Sequence, residues 1–141
     1  MEIGPLTTRS VLTVKATDSL YDAAVSMMER GVGSAVILTD GKPSGIVTDR
    51  ESLRAIAQRK DATTSPVGEF VTGRLTTVSP SLEILEAARL MREKAFRHLV
   101  VVDDNGGLIG VFSMRDLVVG LLEERSALAG AGTASADGAP G

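Results

Sequence analysis

Cysteine and tryptophan are absent from the 141 residues, and the chain holds only one tyrosine, three phenylalanines and one histidine. The missing thiols exclude disulfides, thiolate metal sites and a cysteine nucleophile, and a reducing cytoplasm is the expected location. Aromatics make up 3% of the chain against 43% hydrophobics. The core must therefore be built from Val, Leu, Ile, Ala and Met, a mix suited to α/β packing. No stretch approaches the ~20 apolar residues of a bilayer span, and MEIGPLTTRS is no charged segment leading into an apolar run. The expectation is a soluble, non-secreted protein with no membrane partner. Nor is there a basic block. The net charge is −3 and the Lys and Arg residues are scattered, which leaves out the electrostatic footprint of a nucleic-acid binder. A small anionic ligand stays open, because a few local donors suffice to hold one.

Catalytic patterns are missing as well. A lone histidine without cysteine gives no ligand set for a metal. No G-x-S-x-G elbow, P-loop or Ser/His/Asp constellation can be assembled, and GAGTAS at residues 130–135 follows no strand. No catalytic residue, metal or cofactor is assigned.

What is present is one unit written twice. The length suits a single compact domain that buries roughly two-thirds of its unfolded surface. A shift of 64 positions lays Gly4 on Gly68, Thr8 on Thr72, Thr13-Val14 on Thr77-Val78, Ala23-Ala24 on Ala87-Ala88, Met27 on Met91 and Val36 on Val100. After one inserted residue, Gly45 meets Gly110 and Arg50 meets Arg115.

The hydrophobic period changes in the same order in each copy. Leu20, Ala23, Ala24, Met27 and Met28 form a helical stripe, with Asp18 as N-cap and Gly31 as stop. SAVILTD, the turn-like DGKPS and GIVTD then form a hairpin, and a helix over about 49–60 closes the unit. The second copy repeats this with Leu82, Leu85, Ala88 and Met91, then HLVVVDD, NGG, LIGVFS and RDLVVGLLEE. If LTV and TTV count as strands, the fold class is α/β, two β-α-β-β-α repeats packed about a pseudo-twofold axis. The repeats occupy residues 1–62 and 63–128, with DATTSP as a polar joint and a disordered Ala/Gly-rich tail over 129–141.

Two segments carry the chemistry, GIVTDRESL at 45–53 and GVFSMRDLV at 110–118. A hydroxyl residue followed three places later by an acid is the capping-box pattern, which Thr48 with Glu51 fits well and Ser113 with Asp116 fits loosely. The same geometry has a second use. A helix N-terminus directly after a strand offers unpaired N–H groups and a positive dipole end to a phosphate, while a first-turn carboxylate can accept both hydrogens of a cis-diol. Phosphate and cis-diol together describe a nucleotide. Both readings stay open on the residues alone.

Residues 3–124 resemble a tandem pair of CBS domains, the cystathionine-β-synthase type repeat that forms a Bateman module and senses adenosine-containing ligands. The resemblance is carried by GIVTDRE and GVFSMRD, the lead-ins RSVLTV and GRLTTV, and the segment FRHLVVVDDNG. It implies that the acid of one repeat binds ribose, while the lead-in and first hairpin strand of the other supply the adenine pocket. One site would join Ser113, Arg115 and Asp116 to Leu12, Ser34 and Ala35. The other would join Thr48 and Glu51 to Thr76, Arg97 and His98, the last two standing where some relatives contact phosphate.

The resemblance further implies a free-standing, non-enzymatic regulatory module, of the kind that senses energy state, and a homodimer formed through helices with Met27, Met28, Leu90 and Met91 at the seam. AMP, ADP or ATP is the expected ligand, with few phosphates favoured because basic residues look sparse, and other adenosyl compounds stay open. A regulated protein partner is implied without being identified. Rival readings are a dimerising scaffold that binds no ligand, and a nucleotide hydrolase.

Overall fold

The computed structural model describes residues 1–71 and 74–135, with side chains described through residue 129. The first repeat contains β1 (Thr13–Lys15), α1 (Leu20–Arg30), β2 (Ser34–Thr39), β3 (Lys42–Thr48) and α2 (Asp49–Ala57). The second contains β4 (Thr77–Val78), α3 (Ile84–Lys94), β5 (His98–Val102), β6 (Leu108–Ser113) and α4 (Met114–Ser135). Each repeat makes its own three-stranded sheet, in the orders β1-β2-β3 and β4-β5-β6. The first pair in each sheet is parallel and the second antiparallel. Even the irregularity repeats, since a register shift between Ile37 and Leu38 recurs between Val101 and Val102. The α/β architecture of two repeats about a pseudo-twofold axis is as the sequence implied.

Local chemistry sets the element ends. Ser19, rather than Asp18, caps α1: its hydroxyl accepts the Asp22 N–H at 3.0 Å, while the Asp18 carboxylate accepts the Lys15 N–H at 2.8 Å. Gly31 ends the helix with φ of +64°, the left-handed stop that glycine favours. In α3 the buried stripe is Ile84, Ala87 and Met91, and Leu85 is 55% exposed. Of the expected stripe Met91 is buried and Leu82 and Ala88 pack against the core, so Leu85 is the one residue that misses, its place taken by Ile84. Helix α4 also runs to Ser135, so residues 129–135 are helical where an irregular tail was expected. Alanine is the strongest helix former and the helix is already nucleated, so Ala127, Ala129, Ala131 and Ala134 extend it despite two glycines. Residues 136–141 of that expected tail, and Thr72, lie outside the described residues.

The lead-in segments are exchanged between repeats. Backbone N–H groups of Ile3, Gly4 and Ile84 donate to the carbonyls of Leu82, Pro80 and Met1 at 2.9, 2.8 and 2.9 Å, so the chain's first residues lie on the second repeat. Sixty-four positions on, the N–H groups of Val67, Gly68 and Leu20 donate to Asp18, Ala16 and Ser65 at 2.8, 3.0 and 2.9 Å, which lays the second lead-in on the first repeat. Packing follows the hydrogen bonds. Ile3, fully buried, shares a core with Ile84, Met91, Leu99 and Phe112, whereas Val67 and Phe70 share one with Leu20, Met27, Ile37 and Val47. Packing units and sequence repeats therefore do not divide at the same residues.

This exchange explains the glycine that opens each motif. Thr8 and Val111 exchange backbone hydrogen bonds at 2.9 and 3.0 Å. A Cβ on neighbouring Gly110 would fall 2.3 Å from the Thr8 carbonyl oxygen, closer than any side chain can sit. At Gly45 the same addition would come 2.8 Å from Val71 Cγ1. Each glycine thus admits the other repeat's lead-in across its strand.

A third core cluster joins Val36 of β2 with Val100 of β5 and Val111 of β6, and holds the two sheets together. Met27 and Met91 are 6% and 1% exposed, so they belong to the cores and are unavailable to a dimer seam. Leu90 packs against the second core, and of the proposed seam residues only Met28, 82% exposed, faces outward.

Candidate functional site

Two clefts open beside the motifs, and each draws residues from both repeats. At the first, β6 runs directly into α4, so Ser113 ends the strand, and the Met114 N–H that opens the helix donates to the Arg97 carbonyl at 2.9 Å. The Ser113 N–H donates to Asp116 Oδ2 at 2.9 Å, and the Asp116 N–H donates to Ser113 Oγ at 3.2 Å. The hydroxyl of Thr8, carried there by the exchanged lead-in, lies 3.3 and 3.4 Å from the two carboxylate oxygens. The cleft of about 480 Å³ is completed by Leu12 and Ser34 from the first repeat and by Arg115.

The second cleft, of about 220 Å³, repeats the plan where β3 runs into α2. Glu51 Oε2 accepts both the Thr48 N–H at 3.1 Å and the Thr48 hydroxyl at 2.6 Å, and Thr48 Oγ1 accepts the Arg50 N–H at 3.3 Å. Thr76, Arg97 and His98 of the second repeat line the opposite side.

The capping reading therefore holds in both repeats, but it does not consume either acid. One oxygen of each carboxylate takes the cap. Oε1 of Glu51 has no hydrogen-bond partner among the described residues, and Oδ1 of Asp116 has only the long Thr8 contact. The hydroxyls differ. Ser113 accepts from the helix and keeps its proton to donate, whereas Thr48 spends its proton on Glu51.

Of the residues singled out from sequence, Ser113, Arg115, Asp116, Leu12 and Ser34 come together at one cleft and Thr48, Glu51, Thr76, Arg97 and His98 at the other. Ala35 does not line either. It is fully buried, packed in the first core with Leu20 and Val47, because strand alternation turns it away from the side Ser34 faces. Arg97 and His98 line both clefts. The Arg97 guanidinium donates to Asp49 at 2.9 Å, an ion pair that crosses between the repeats. His98 is half-buried. Burial first, and then the Arg97 charge, push its pKa below the ordinary histidine value, against the opposing pull of Asp49, Asp116 and Glu51. At neutral pH it is an uncharged imidazole, so it offers a phosphate a hydrogen bond without a charge.

The sequence reading missed Thr8 and Asp49 at the first cleft, and Arg50, Arg54 and Arg74 at the second. It took the sparse basic residues to favour a ligand with few phosphates. They are sparse along the chain, yet four arginines converge on one opening. The repeat offset held part of this signal, since Arg74 stands 64 residues after Ser10 and Arg50 answers Arg115, and both partners line the first cleft.

Comparison with known proteins bears on the family and the fold. The profile of the CBS domain matches twice, at residues 3–58 and 67–123. A CBS domain-containing protein of Bacillus subtilis is 33% identical over 121 residues, which is 85% of each chain. An uncharacterized protein of Methanopyrus kandleri is 33% identical over 120 residues, 84% of this chain but only 61% of that longer one. Among solved structures, a CBS domain protein from Pyrobaculum aerophilum complexed with AMP is 32% identical and superimposes with a TM-score of 0.76, covering 82% of this chain and 89% of the other.

Proposed function

Because the chain belongs to the CBS-domain family, with two copies in tandem, we propose that it is a regulatory ligand-sensing module that binds an adenine nucleotide or related adenosyl compound in the clefts between its repeats. The observation that supports it most is the pairing at each cleft of a strand-to-helix N-terminus from one repeat with the lead-in and hairpin strand of the other. The positive end of the helix dipole favours phosphate, the uncommitted oxygen of Asp116 or Glu51 accepts from ribose, and the apolar lead-in receives the base. That the Pyrobaculum aerophilum relative is complexed with AMP points the same way. No group in either cleft is assigned a chemical step, so the response is a change of shape or partner.

A thermal-melt series with AMP, ADP, ATP, NAD and S-adenosylmethionine tests the reading. At 100 times its dissociation constant, a ligand specific for the folded state stabilises it by about 2.7 kcal/mol, which raises the midpoint by several degrees. A chain that melts identically with every compound is a scaffold that does not sense adenosyl ligands. Release of inorganic phosphate from ATP in proportion to protein would instead support a hydrolase.

A homodimer through the helices is part of the proposal. Tyr21, Val25 and Met28 form one exposed stripe on α1, and Leu53 and Ile56 continue it on α2 at 67% and 74% exposure. Such a contiguous apolar face marks an association surface. Sedimentation at the mass of one 14.7 kDa chain across micromolar concentrations would contradict it.

A further inference from the structure

The two clefts differ more in charge than in plan. Arg50, Arg54, Arg74 and Arg97 line the Glu51 cleft against a single carboxylate, and with Arg97 paired to Asp49 two positive charges remain in surplus. The Asp116 cleft sets Arg97 and Arg115 against Asp49 and Asp116, with no surplus. Among the described residues only Arg97 of the four has an ion-pair partner, Asp49. Arg54 donates to the Phe70 carbonyl at 3.0 Å, which fixes its guanidinium without compensating its charge. Glu51 is turned into the cap of its own helix. Guanidinium groups around one small opening repel one another, and an anion with several charges removes that repulsion while taking paired N–H donors from each group. Neutral His98 leaves this balance to the arginines.

We propose that the Glu51 cleft is a polyphosphate site, selecting an adenosyl ligand with two or more phosphates through Arg54 and Arg74, and that the Asp116 cleft takes an adenosyl compound of little net charge. The inference rests on the nucleotide reading above and deepens it. At about 220 Å³ the Glu51 cleft is smaller than common ligand cavities of ~300–1,000 Å³. The phosphates would therefore lie at its mouth, where Arg50, Arg74 and Arg97 are exposed. Asp49 and Asp116 would repel the same phosphates from the other cleft.

The test is equilibrium titration of the full chain with adenosine, AMP, ADP and ATP at low and moderate salt. The parent should bind ADP and ATP at least tenfold more tightly than AMP, and the advantage should shrink as salt rises. Arg74→Gln, whose guanidinium holds no ion pair among the described residues, should lose about tenfold for ADP and ATP, the scale of a charged hydrogen bond. Arg54→Gln combined with it should lose more. Adenosine affinity should stay within about twofold in both variants, and an unchanged melting midpoint of Arg74→Gln shows that it folds. If adenosine and AMP bind but added phosphates bring no gain, or if Arg74→Gln keeps the parent's ATP-to-AMP ratio, the polyphosphate assignment is wrong while the nucleotide reading stands. If none of the four compounds binds, both are overturned.

Discussion

Cut after residue 64, the chain should yield two halves, neither of which folds as a stable monomer. The first half loses Val67, fully buried, and Phe70, 5% exposed, both of which fill its core, and it loses the Ser65 carbonyl that receives the Leu20 N–H. It also carries Ile3 with nothing to bury it, and exposes Val36 from the joint cluster. The second half loses Ile3, the backbone ladder from residues 1–4, and the Thr8 pairing that covers Val111. Removing one large buried side chain alone costs about 2–5 kcal/mol, set against a total stability of ~5–15 kcal/mol for a domain. Each half forfeits more than one such group. Circular dichroism on heating should show no sigmoidal transition in either half, and a cooperative transition in a half that sediments as a monomer would mean the exchanged lead-ins are dispensable.

The second large effect lies at Asp116. Asp116→Asn keeps volume and a carbonyl oxygen for the Ser113 N–H, now at 2.9 Å from the carboxylate, so the cap survives in form. It removes the charge that lets the remaining oxygen accept strongly from a ribose hydroxyl. Melting should therefore change little, within the few tenths to ~2 kcal/mol spanned by cap substitutions. Affinity for ligands in that cleft should fall about tenfold or more, matching the ~1.5–3 kcal/mol of a hydrogen bond to a charged group. Asp116→Ala removes the cap too, and should add a clear loss of stability. If Asp116→Asn binds every adenosyl ligand as the parent does while Asp116→Ala melts several degrees lower, the residue is a cap and nothing more. At Glu51, whose Oε2 holds both Thr48 donors, the same pair of substitutions should move stability more than at Asp116.

The sequence disclosed those features that depend on residues a few places apart. Helical stripes, the Thr48–Glu51 box, the Asp40-Gly41 turn with φ of +51° and +79° and the 64-residue offset are all local or self-similar patterns. The facing of motif and lead-in at each cleft came from the family resemblance, and the clefts now hold those residues side by side. What stayed hidden was decided at long range. Nothing in MEIGPL says which repeat it will cover, because Ile3 and Val67 are equally good apolar plugs and only closure of the whole fold distinguishes the two cores. The arginine cluster was hidden for the same reason. Arg50 and Arg54 sit on α2, Arg74 on a lead-in and Arg97 before β5, and only the docking of the repeats brings them to one opening. Ala35 failed the other way, since a neighbour of a site residue on a strand faces the opposite side.

The central claim is that ligands enter between the repeats, at the two strand-to-helix junctions. The most direct measurement is a two-dimensional amide NMR spectrum of the uniformly labelled chain titrated with ADP. The account predicts saturable shifts at Thr48, Arg50, Glu51, Thr76, Arg97 and His98, with smaller changes at Ser34, Ser113 and Asp116 through the shared Arg97 and His98. Shifts confined to the outer faces of α1 and α2 around Met28 and Ile56, or a spectrum unchanged at millimolar ADP, would contradict it.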